Sequence, residues 1–573
     1  MHFGEGNLVP VPQASLADRY EQHNKKQNNT MSKIITTILL VIILFGCTIK
    51  EEIPNLVPDE AGTAPNYWCT WYWQNYLILK GQEVTNPDAG TVYTNQAARE
   101  GMTEENIFGL QGMAIVMLPK TRSDYYFVID HGWQDKNIPD DTFFTLMMDT
   151  IDFPGYAHLN PQEKIKQMNI DIKALGWKGL GLWVRGNPSE KEMRKFVEWS
   201  KYAKVGYWKI DGGDIKYYYA SKIKNEIYPE LTLEHITGAG PINPKWNMPG
   251  LSIYPSVYNR EEAVSQKLEA SLNSATEKVE KSLDVIKNTD VFRTYDAAPL
   301  LVSTTTMQRI HDILVETAGN REYKAFLNIQ DDCNIAAALG LLVAVKRHPM
   351  KTPRMYKGKD FHLQISGERH VDQRLNEMDR LALWQRIAPP MPAGYGTYLF
   401  SKHNLVDSIV FQENDTWFKA THEKMVRQSA PAIMARNIVL PEVKHKELAP
   451  YVMASKFPNG ALAIATEGRV TPNQSWIHPR ADILLNEVEI NKPIGIFGYY
   501  ESLTLEFSQV LPNDIRIYGQ DLLSKKAINL TKKVKIHKNK IIIQGSLIEE
   551  IGTMKADKDD ISVPGMVIKI TPN

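Results

Sequence analysis

The sequence has very little cysteine, with only Cys47, Cys69 and Cys333 among its 573 residues. These three form no Cys-x-x-Cys pair and no Cys/His series, which argues against a structural zinc site. Cys69 and Cys333 either pair in an oxidising compartment or remain two buried free thiols, and the sequence leaves both outcomes open.

An excess of charge of either sign is also missing, because 66 Lys and Arg balance 66 Asp and Glu. The overall balance therefore directs the chain neither to nucleic acid nor to an anionic membrane surface. No His-x-His or acidic cluster follows a predicted strand, so we expect no metal or organic cofactor, with a bound calcium ion left open. The length predicts two folded domains and a targeting segment.

The first 47 residues contain an apolar run, residues 38–45, that is too short to span a bilayer comfortably and has the size of a signal-peptide core. The run ends in Leu-Phe-Gly-Cys, which resembles a bacterial lipobox with Cys47 as the acylated residue. We expect translation to start at Met31. Residues 48–63 are predicted to be a tether whose first residues resemble a surface-export signal. The protein is thus expected to be exported and lipid-anchored at the outer membrane, on the cell surface or otherwise in the periplasm.

Short β-rich runs alternate with helical stretches from residue 64 to 445, which predicts a parallel (β/α)8 TIM barrel. An amphipathic helix is predicted over residues 261–287. From residue 446 to 573 the pattern changes to short alternating strands at 503–507, 515–518, 534–537, 541–544 and 566–570, which predicts a C-terminal antiparallel β-sandwich. The barrel strands are predicted at 67–71, 125–129, 179–184, 206–210, 231–236, 291–294 and 325–329, with an eighth near 383–388.

The strongest candidate for chemistry is the strand that ends at Asp211. Because side chains alternate along a strand, Tyr207, Lys209 and Asp211 share one face, and Trp208 takes the other, against the helices. A lysine and an aspartate that point into a barrel are costly unless they pair or bind something polar. The alternative to a functional site is a structural Lys–Asp pair followed by a glycine turn.

Other predicted strands also end in polar or aromatic residues, and the active site of a parallel barrel lies at the carboxyl ends of its strands. Retaining glycoside hydrolysis needs two carboxyl groups at such a site: a nucleophile that stays ionised, and an acid/base partner. A nearby cation such as Lys209 favours the ionised nucleophile, so we assign that role to Asp211 and the acid/base role to Asp296. The remaining strand-end residues are Asp130 and His131, Trp183, Glu234 and Arg293.

In their order, these strand ends resemble those of the α-galactosidase and α-N-acetylgalactosaminidase clan of retaining glycoside hydrolases. The resemblance is clear over residues 66–300 and fainter to about 400. The matching motifs are the Trp-rich first strand at 68–72, Asp130-His131-Gly132-Trp133, the Gly-Trp-Lys strand at 176–183, Lys209-Ile210-Asp211, Glu234, and Arg293 followed by Asp296.

The resemblance implies a catalytic barrel followed by a β-sandwich, and a retaining exo-α-glycosidase that acts on glycans without an organic cofactor. Asp211 would be the nucleophile and Asp296 the acid/base. The sugar hydroxyls would be held by Lys209, Asp130, Glu234 and Arg293, with Trp71 or Trp183 against the sugar ring.

Three departures from the clan pattern bear on specificity. His131 stands where galactosidases carry a second aspartate that holds sugar hydroxyls, and we expect a galactose-like or arabinopyranose-like terminal sugar. Gly212 and Gly213 replace the Asn-Cys of many members. Asp290 and Asp214 compete with Asp296 for the acid/base role.

Two other functions remain open at the sequence level. Lys209 on a barrel strand is compatible with a Schiff-base lyase or aldolase. A surface lipoprotein that binds glycans without turnover would keep the same pocket.

Overall fold

In a computed structural model of the chain, the described residues begin at Ile53 and end at Pro572. Cys47 and the predicted signal segment lie outside the residues that the structure describes, as do the predicted helix 261–287 and the predicted strand 325–329. The described residues are 53–83, 95–137, 145–186, 188–211, 217–236, 289–293, 304–307, 332–345, 354–356, 359–360, 376–392, 395–410, 425–471, 473, 476–558 and 560–572.

The N-terminal part of the described chain contains eleven strands, and eight of them close into a ring. In chain order the eleven are β1 Asn66–Cys69, β2 Gln82–Glu83, β3 Tyr125–Ile129, β4 Gly179–Val184, β5 Tyr207–Asp211, β6 Thr232–Ile236, β7 Val291–Arg293, β8 Thr304–Met307, β9 Leu342–Val345, β10 Arg354–Tyr356 and β11 Lys359–Asp360. The ring order is β1-β3-β4-β5-β6-β7-β8-β9, while β2, β10 and β11 form a small separate sheet.

Six successive strands of the ring, β1 and β3 to β7, are parallel to one another, as predicted. The ring departs from a regular (β/α)8 barrel at β8, which runs antiparallel to both β7 and β9. β9 is parallel to β1 and completes the ring. The prediction of a parallel α/β sheet is therefore confirmed for six strands, and a complete parallel eight-stranded barrel is not.

The described helices are α1 Trp71–Leu79, α2 Asn95–Gly101, α3 Glu104–Phe108, α4 Met113–Val116, α5 Pro161–Ala174, α6 Glu190–Ala203, α7 Tyr217–Ile227, α8 Asp332–Leu339, α9 Glu377–Ile387 and α10 Gly545–Gly552. Local sequence explains where the long helices begin. The Asn160 side chain caps α5, which has Pro161 in its first turn. Ser189 and Glu192 form a capping box at the start of α6.

The predicted strand near 383–388 is wrong, because residues 383–387 belong to α9 and Ala388 caps it. Leu381, Leu383 and Trp384 are buried along with nearly every other residue of α9, so the helix has no solvent-exposed face and its sequence lacks amphipathic periodicity. Pro389 and Pro390 follow directly, which is typical of a helix end.

The two faces of the ring carry different residues, as the alternation predicts. Trp208 points outward and its indole N–H donates to Ser200 Oγ of α6 at 3.1 Å. Tyr207 and Lys209 point inward, where their polar atoms contact Glu234 and Asp130. The inner apolar cluster is small and separate from the large outer one, which leaves room for polar side chains inside the ring.

The amino-terminal end of the ring is covered by α9 and by the segment 53–65. Arg386 of α9 forms an ion pair with Asp124 at 2.6 Å, and Asp124 also accepts a hydrogen bond from the Gly62 N–H at 2.6 Å. Lys178 donates to the carbonyls of Gly62 and Ala64 at 3.0 and 2.6 Å. From Ile53 onward, the predicted tether is thus packed against the folded unit.

Beyond α9, two larger sheets share one apolar core, and their strands are mixed rather than purely antiparallel. The eight-stranded sheet has the order β12-β15-β17-β18-β22-β28-β24-β25, and the five-stranded sheet has the order β16-β21-β23-β27-β26. Three pairs are parallel: β15 with β17, β18 with β22, and β21 with β23. All five predicted strands of this region are confirmed.

The strands of this region begin before residue 446, where the second domain is predicted to start. They are β12 Tyr398–Phe400, β13 Asn404–Val410, β14 Met425–Pro431, β15 Ile433–Arg436, β16 Glu442–Lys444, β17 Tyr451–Lys456, β18 Leu462–Glu467, β19 Arg469–Val470, β20 Trp476–Ile477, β21 Asp482–Val488, β22 Ile494–Phe497, β23 Ser502–Phe507, β24 Ile515–Asp521, β25 Ile528–Asn529, β26 Lys535–His537, β27 Lys540–Gln544 and β28 Gly565–Pro572.

The outer face of the eight-stranded sheet packs against α8 and α9, which joins the sheet to the ring. Trp384 packs edge-on against Phe457 and Phe497, with ring centroids 5.7 and 6.0 Å away. Arg380 of α9 forms a buried ion pair with Asp521 of β24 at 3.3 Å. Within the described residues, no helix has the length and apolar character needed to cross a membrane.

Asp379 of α9 makes stability at this junction depend on pH. Burial raises the pKa of its carboxyl from 3.8 to about 6, although Thr121 donates a hydrogen bond to it and Lys120 and Arg380 lie nearby. The folded state therefore favours the protonated form, and this group lowers the stability as the pH rises through 6.

We expect Asp379→Asn to raise the free energy of unfolding at pH 7.5 by an amount on the order of 2 kcal/mol, because the amide oxygen still accepts from Thr121 without a buried charge. Denaturant unfolding at pH 7.5 and pH 4.5 measures this. The gain should be much smaller at pH 4.5; an equal gain at both pH values would contradict the assignment.

Candidate active site

A row of three predicted site residues crosses adjacent strands near their carboxyl ends. Trp183 of β4 lies in register with Lys209 of β5, and Lys209 lies in register with Glu234 of β6. All three side chains are buried. Because residues in register on parallel strands point to the same face, this row forms one layer of the ring interior.

Asp130 follows β3 directly and binds the centre of this row. Its carboxylate accepts hydrogen bonds from Lys209 Nζ and, at 3.0 Å, from the Cys69 thiol. Burial alone would raise the pKa of Asp130, but the Lys209 ammonium and hydrogen bonds from Cys69, Lys209 and the His131 N–H together lower it. Asp130 is therefore ionised at neutral pH, and the pair with Lys209 keeps two buried charges neutralised.

Glu234 is held by two tyrosines. The Tyr67 hydroxyl donates to Oε1 at 3.1 Å and the Tyr207 hydroxyl donates to Oε2 at 2.5 Å. Glu234 is 0% exposed, so these donors replace the water that a carboxylate loses on burial. The result is a fixed carboxylate beside the Lys209–Asp130 pair.

Three aromatic side chains and an arginine lie together near the carboxyl ends of β1, β3 and β4. The His131 ring packs against Trp183, with centroids 4.9 Å apart, and lies 6.4 Å from Trp71. Arg99 of α2 donates from Nε to His131 Nε2 at 2.9 Å, which makes that nitrogen an acceptor and fixes the neutral tautomer. Trp71, predicted on a strand, is instead the first residue of α1 and is half-buried.

Hydrogen bonds and one close approach set the turn after β3. The Asp130 N–H donates to Thr70 Oγ1 at 2.8 Å, and the Gln74 amide donates to the His131 carbonyl at 2.7 Å. Gly132 has φ +110°, and a Cβ there would lie 2.8 Å from Arg99 Cα. Glycine is therefore required where α2 passes over the turn.

Of the two proposed catalytic aspartates, only the backbone of Asp211 lies within the described residues. Asp211 is the last residue of β5, two residues beyond Lys209, and its side chain lies outside the described part of the structure. Its backbone is in register with Ile236, which is in register with Arg293 at the end of β7. The Arg293 side chain is also outside that part, as are Asp296 and Asp214.

Asp290 lies at the opposite end of the ring and is no longer a candidate acid/base. It precedes β7, accepts from Lys224 Nζ at 2.9 Å and from the Leu233 N–H at 2.8 Å. It lines a cavity of about 300 Å³ there, with Thr63 and Pro389 on other walls. A group at the amino-terminal end cannot reach chemistry at the carboxyl ends of the strands.

Three contributors to this site do not follow from the strand-end motifs. Tyr67 and Cys69 are two residues apart on β1, so both point to the inner face of the ring. The alternation of side chains that placed Lys209 inside the ring would have placed these two residues there as well. Arg99 comes from a helix that precedes β3, and no local pattern in its sequence points to His131.

No set of three or more His, Cys, Asp or Glu side chains in the described ranges is arranged to hold a metal ion. Cys69 is a poor metal ligand and nucleophile, because burial, with the neighbouring Asp130 charge, raises the pKa of its thiol to about 12. Cys69 and Cys333 are both buried and form no disulfide, and the Cys333 Sγ lies 3.7 Å from Met378 Sδ.

We expect native Cys47→Ser protein to show no thiol that reacts with a disulfide reagent at pH 8, and the unfolded protein to show two. The reason is that both remaining cysteines are buried and Cys69 stays protonated. Thiol counting with Ellman's reagent, before and after denaturation, measures this. Zero thiols after unfolding would mean that Cys69 and Cys333 are paired, contrary to the structure.

Comparisons with known proteins leave the family open. No family model matches the chain, and no curated protein matches it. Among solved structures, the catalytic domain of GH30 xylanase C from Talaromyces cellulolyticus aligns with 91% of this chain and 99% of its own, at 8% identity and a TM-score of 0.22. A score this low does not establish a shared fold, so the resemblance to the α-galactosidase clan stays a prediction from the sequence.

Proposed function

We propose that the protein is a retaining exo-α-glycosidase that removes galactose-like or arabinopyranose-like terminal sugars from oligosaccharides or polysaccharides. The observation that carries the proposal is the buried group of Lys209, Asp130 and Glu234 next to the end of β5, where Asp211 lies. Buried charges of this kind are expensive and are concentrated at functional sites.

In the proposed reaction, the Asp211 carboxylate attacks the anomeric carbon while Asp296 protonates the departing oxygen. Asp296 then takes a proton from the water that hydrolyses the glycosyl ester. The Lys209 ammonium, two residues before Asp211, favours the ionised nucleophile. Asp130 and the tyrosines around Glu234 hold Lys209 and Glu234 in fixed orientations.

Exposure and position support the remaining proposed roles. Trp71 is more exposed than Trp183, which supports Trp71 as the residue against the sugar ring. Lys209, Asp130, Glu234 and Arg293 would hold sugar hydroxyls. His131, held by Arg99, would replace an acidic hydroxyl-binding residue and alter the sugar preference. No organic cofactor is needed for this chemistry. We further propose that the protein is exported and anchored through lipid on Cys47.

The Schiff-base alternative is disfavoured by the ion pair. A lysine must be a neutral amine to attack a carbonyl, and the Asp130 carboxylate against Nζ stabilises the ammonium. If borohydride traps a substrate on Lys209, that alternative is correct.

A panel of aryl α- and β-glycosides, with the first-formed product anomer followed by NMR, tests the proposal. We expect hydrolysis of an α-glycoside with retention of configuration. Inversion would contradict the double displacement. Folded protein that binds sugars but hydrolyses none of the panel would indicate a glycan-binding protein instead.

A further inference from the structure

Although the formal net charge of the chain is zero, one segment of the C-terminal sheets has a strong excess of lysine. Residues 522–548 contain seven lysines and no aspartate or glutamate. We call this surface the lysine-rich edge and define it by Lys525, Lys526, Lys532, Lys533, Lys535, Lys538 and Lys540.

Six of these seven lysines are exposed to solvent, and Lys535 and Lys538 lie on or directly after the edge strand β26. β26 is the outermost strand of the five-stranded sheet, and its three residues are all exposed. Lys533 and Lys540 form ion pairs with Glu550 and Glu506 at 2.9 and 3.1 Å. Lys526, Lys532, Lys535 and Lys538 are exposed and pair with no carboxylate of the described residues.

Exposed aliphatic side chains accompany the lysines. Ile536, between Lys535 and His537, is 42% exposed, and Val510 is 74% exposed. Val510 lies in the neighbouring loop, where the next residue, Leu511, donates its N–H to the Lys538 carbonyl at 3.1 Å. Lysines that flank protruding aliphatic side chains are typical of surfaces that rest on a lipid headgroup layer.

The chemistry favours lipid over polysaccharide. Residues 522–548 contain no tryptophan, tyrosine or phenylalanine on which a sugar ring could stack. They also contain no arginine, whose planar fork suits bidentate recognition of a defined anion. Flexible point charges suit a diffuse layer of phosphate headgroups.

The lysine-rich edge begins beside the amino-terminal end of the described chain. Lys525 forms an ion pair with Asp59 at 2.5 Å, and the Ala527 N–H donates to the Pro54 carbonyl at 3.4 Å. Cys47 precedes Ile53 by six residues, a stretch that spans at most about 20 Å. A lipid on Cys47, as proposed above, would therefore hold a bilayer near Lys525, where the lysine-rich edge begins.

We propose that the lysine-rich edge docks on a bilayer surface that carries anionic phospholipid headgroups. Such a contact adds an electrostatic attachment to the lipid on Cys47 and orients the folded unit on the bilayer. The contact is electrostatic, so it weakens as salt is raised.

Vesicle sedimentation with protein that begins at residue 48 tests the proposal without any contribution from the lipid or from the apolar run at residues 38–45. The probes are vesicles of phosphatidylcholine alone and of phosphatidylcholine with phosphatidylglycerol, each at low and at physiological ionic strength. We expect binding only to the anionic vesicles. The triple variant Lys532→Gln, Lys535→Gln, Lys538→Gln should weaken the affinity by about tenfold or more.

A matched control removes three exposed lysines from the barrel helices: Lys191→Gln, Lys201→Gln, Lys222→Gln. This control should bind anionic vesicles like the parent protein. Equal losses in both triple variants would overturn the proposal, as would binding that ignores phosphatidylglycerol. Two further results would also overturn it. One is sedimentation with an insoluble anionic polysaccharide but not with vesicles. The other is aggregation of the first triple variant without any vesicle binding by the parent, since lysines also protect edge strands from pairing.

Discussion

Asp211→Asn should lower kcat on the best aryl α-glycoside by roughly 10⁴-fold or more, because the amide cannot form the glycosyl ester. The free energy of unfolding should change little, since the residue ends a strand and the buried pair below it is untouched. Steady-state kinetics and denaturant unfolding on the same preparation measure both quantities.

Asp211→Ala sharpens this test, because it opens space for a small external nucleophile. Azide should restore part of the turnover and yield a glycosyl azide of inverted configuration, since only one displacement then occurs. Asp290→Asn is the matched control: the same chemical change is made at the amino-terminal end of the ring, and kcat should be nearly unchanged. Full activity in Asp211→Asn would contradict the assigned nucleophile.

Lys209→Met should destabilise the fold by about 3–5 kcal/mol at pH 7, because it leaves the Asp130 carboxylate buried without its ammonium partner. The effect depends on pH. In the parent protein the pKa of Asp130 is lowered, so its contribution to stability is complete above about pH 4 and is lost as the pH falls through the folded value.

In the variant, burial without Lys209 raises the pKa of Asp130, so acid relieves the unpaired charge and the gap between the two proteins should narrow towards pH 4. Asp130→Asn combined with Lys209→Met should recover part of the loss. Lys456→Met, which breaks an exposed pair with Glu489 at 2.6 Å, should have no resolvable effect. A gap that stays constant from pH 7 to pH 4 would mean that the pair does not carry this stability.

The parallel part of the ring could be predicted because each strand has its own local signal. Residues 125–129 and 179–184 are continuous apolar runs flanked by turns, and both strands have these bounds in the structure. The inward position of Lys209 followed from the alternation of side chains alone. These features depend on neighbours in sequence, which a single chain records directly.

Features that depend on distant contacts could not be predicted in this way. The direction of β8 is set by its pairing with β7 and β9, and nothing within Thr304–Met307 specifies it. α9 is buried on all sides because the ring and the eight-stranded sheet both pack on it, so its sequence carries no amphipathic period. The contact of Arg99 with His131 likewise joins two segments whose sequences are unrelated.

The packing of residues 53–65 has the same origin. Their Pro, Glu and Gly content is typical of a linker. In the structure, buried partners from other elements hold them, including Asp124 to the Gly62 N–H and Gln520 to the Leu56 N–H at 2.7 Å. Composition predicts the absence of regular structure here, and only the folded chain reveals the attachment.

The central claim, a covalent bond between Asp211 and the sugar, is tested most directly by trapping the intermediate with a slow fluorinated glycosyl fluoride and mapping it by mass spectrometry. The account predicts one added sugar per chain, on the peptide that contains Asp211, and none in Asp211→Asn. A label on any other carboxylate, or retained labelling in that variant, would contradict it.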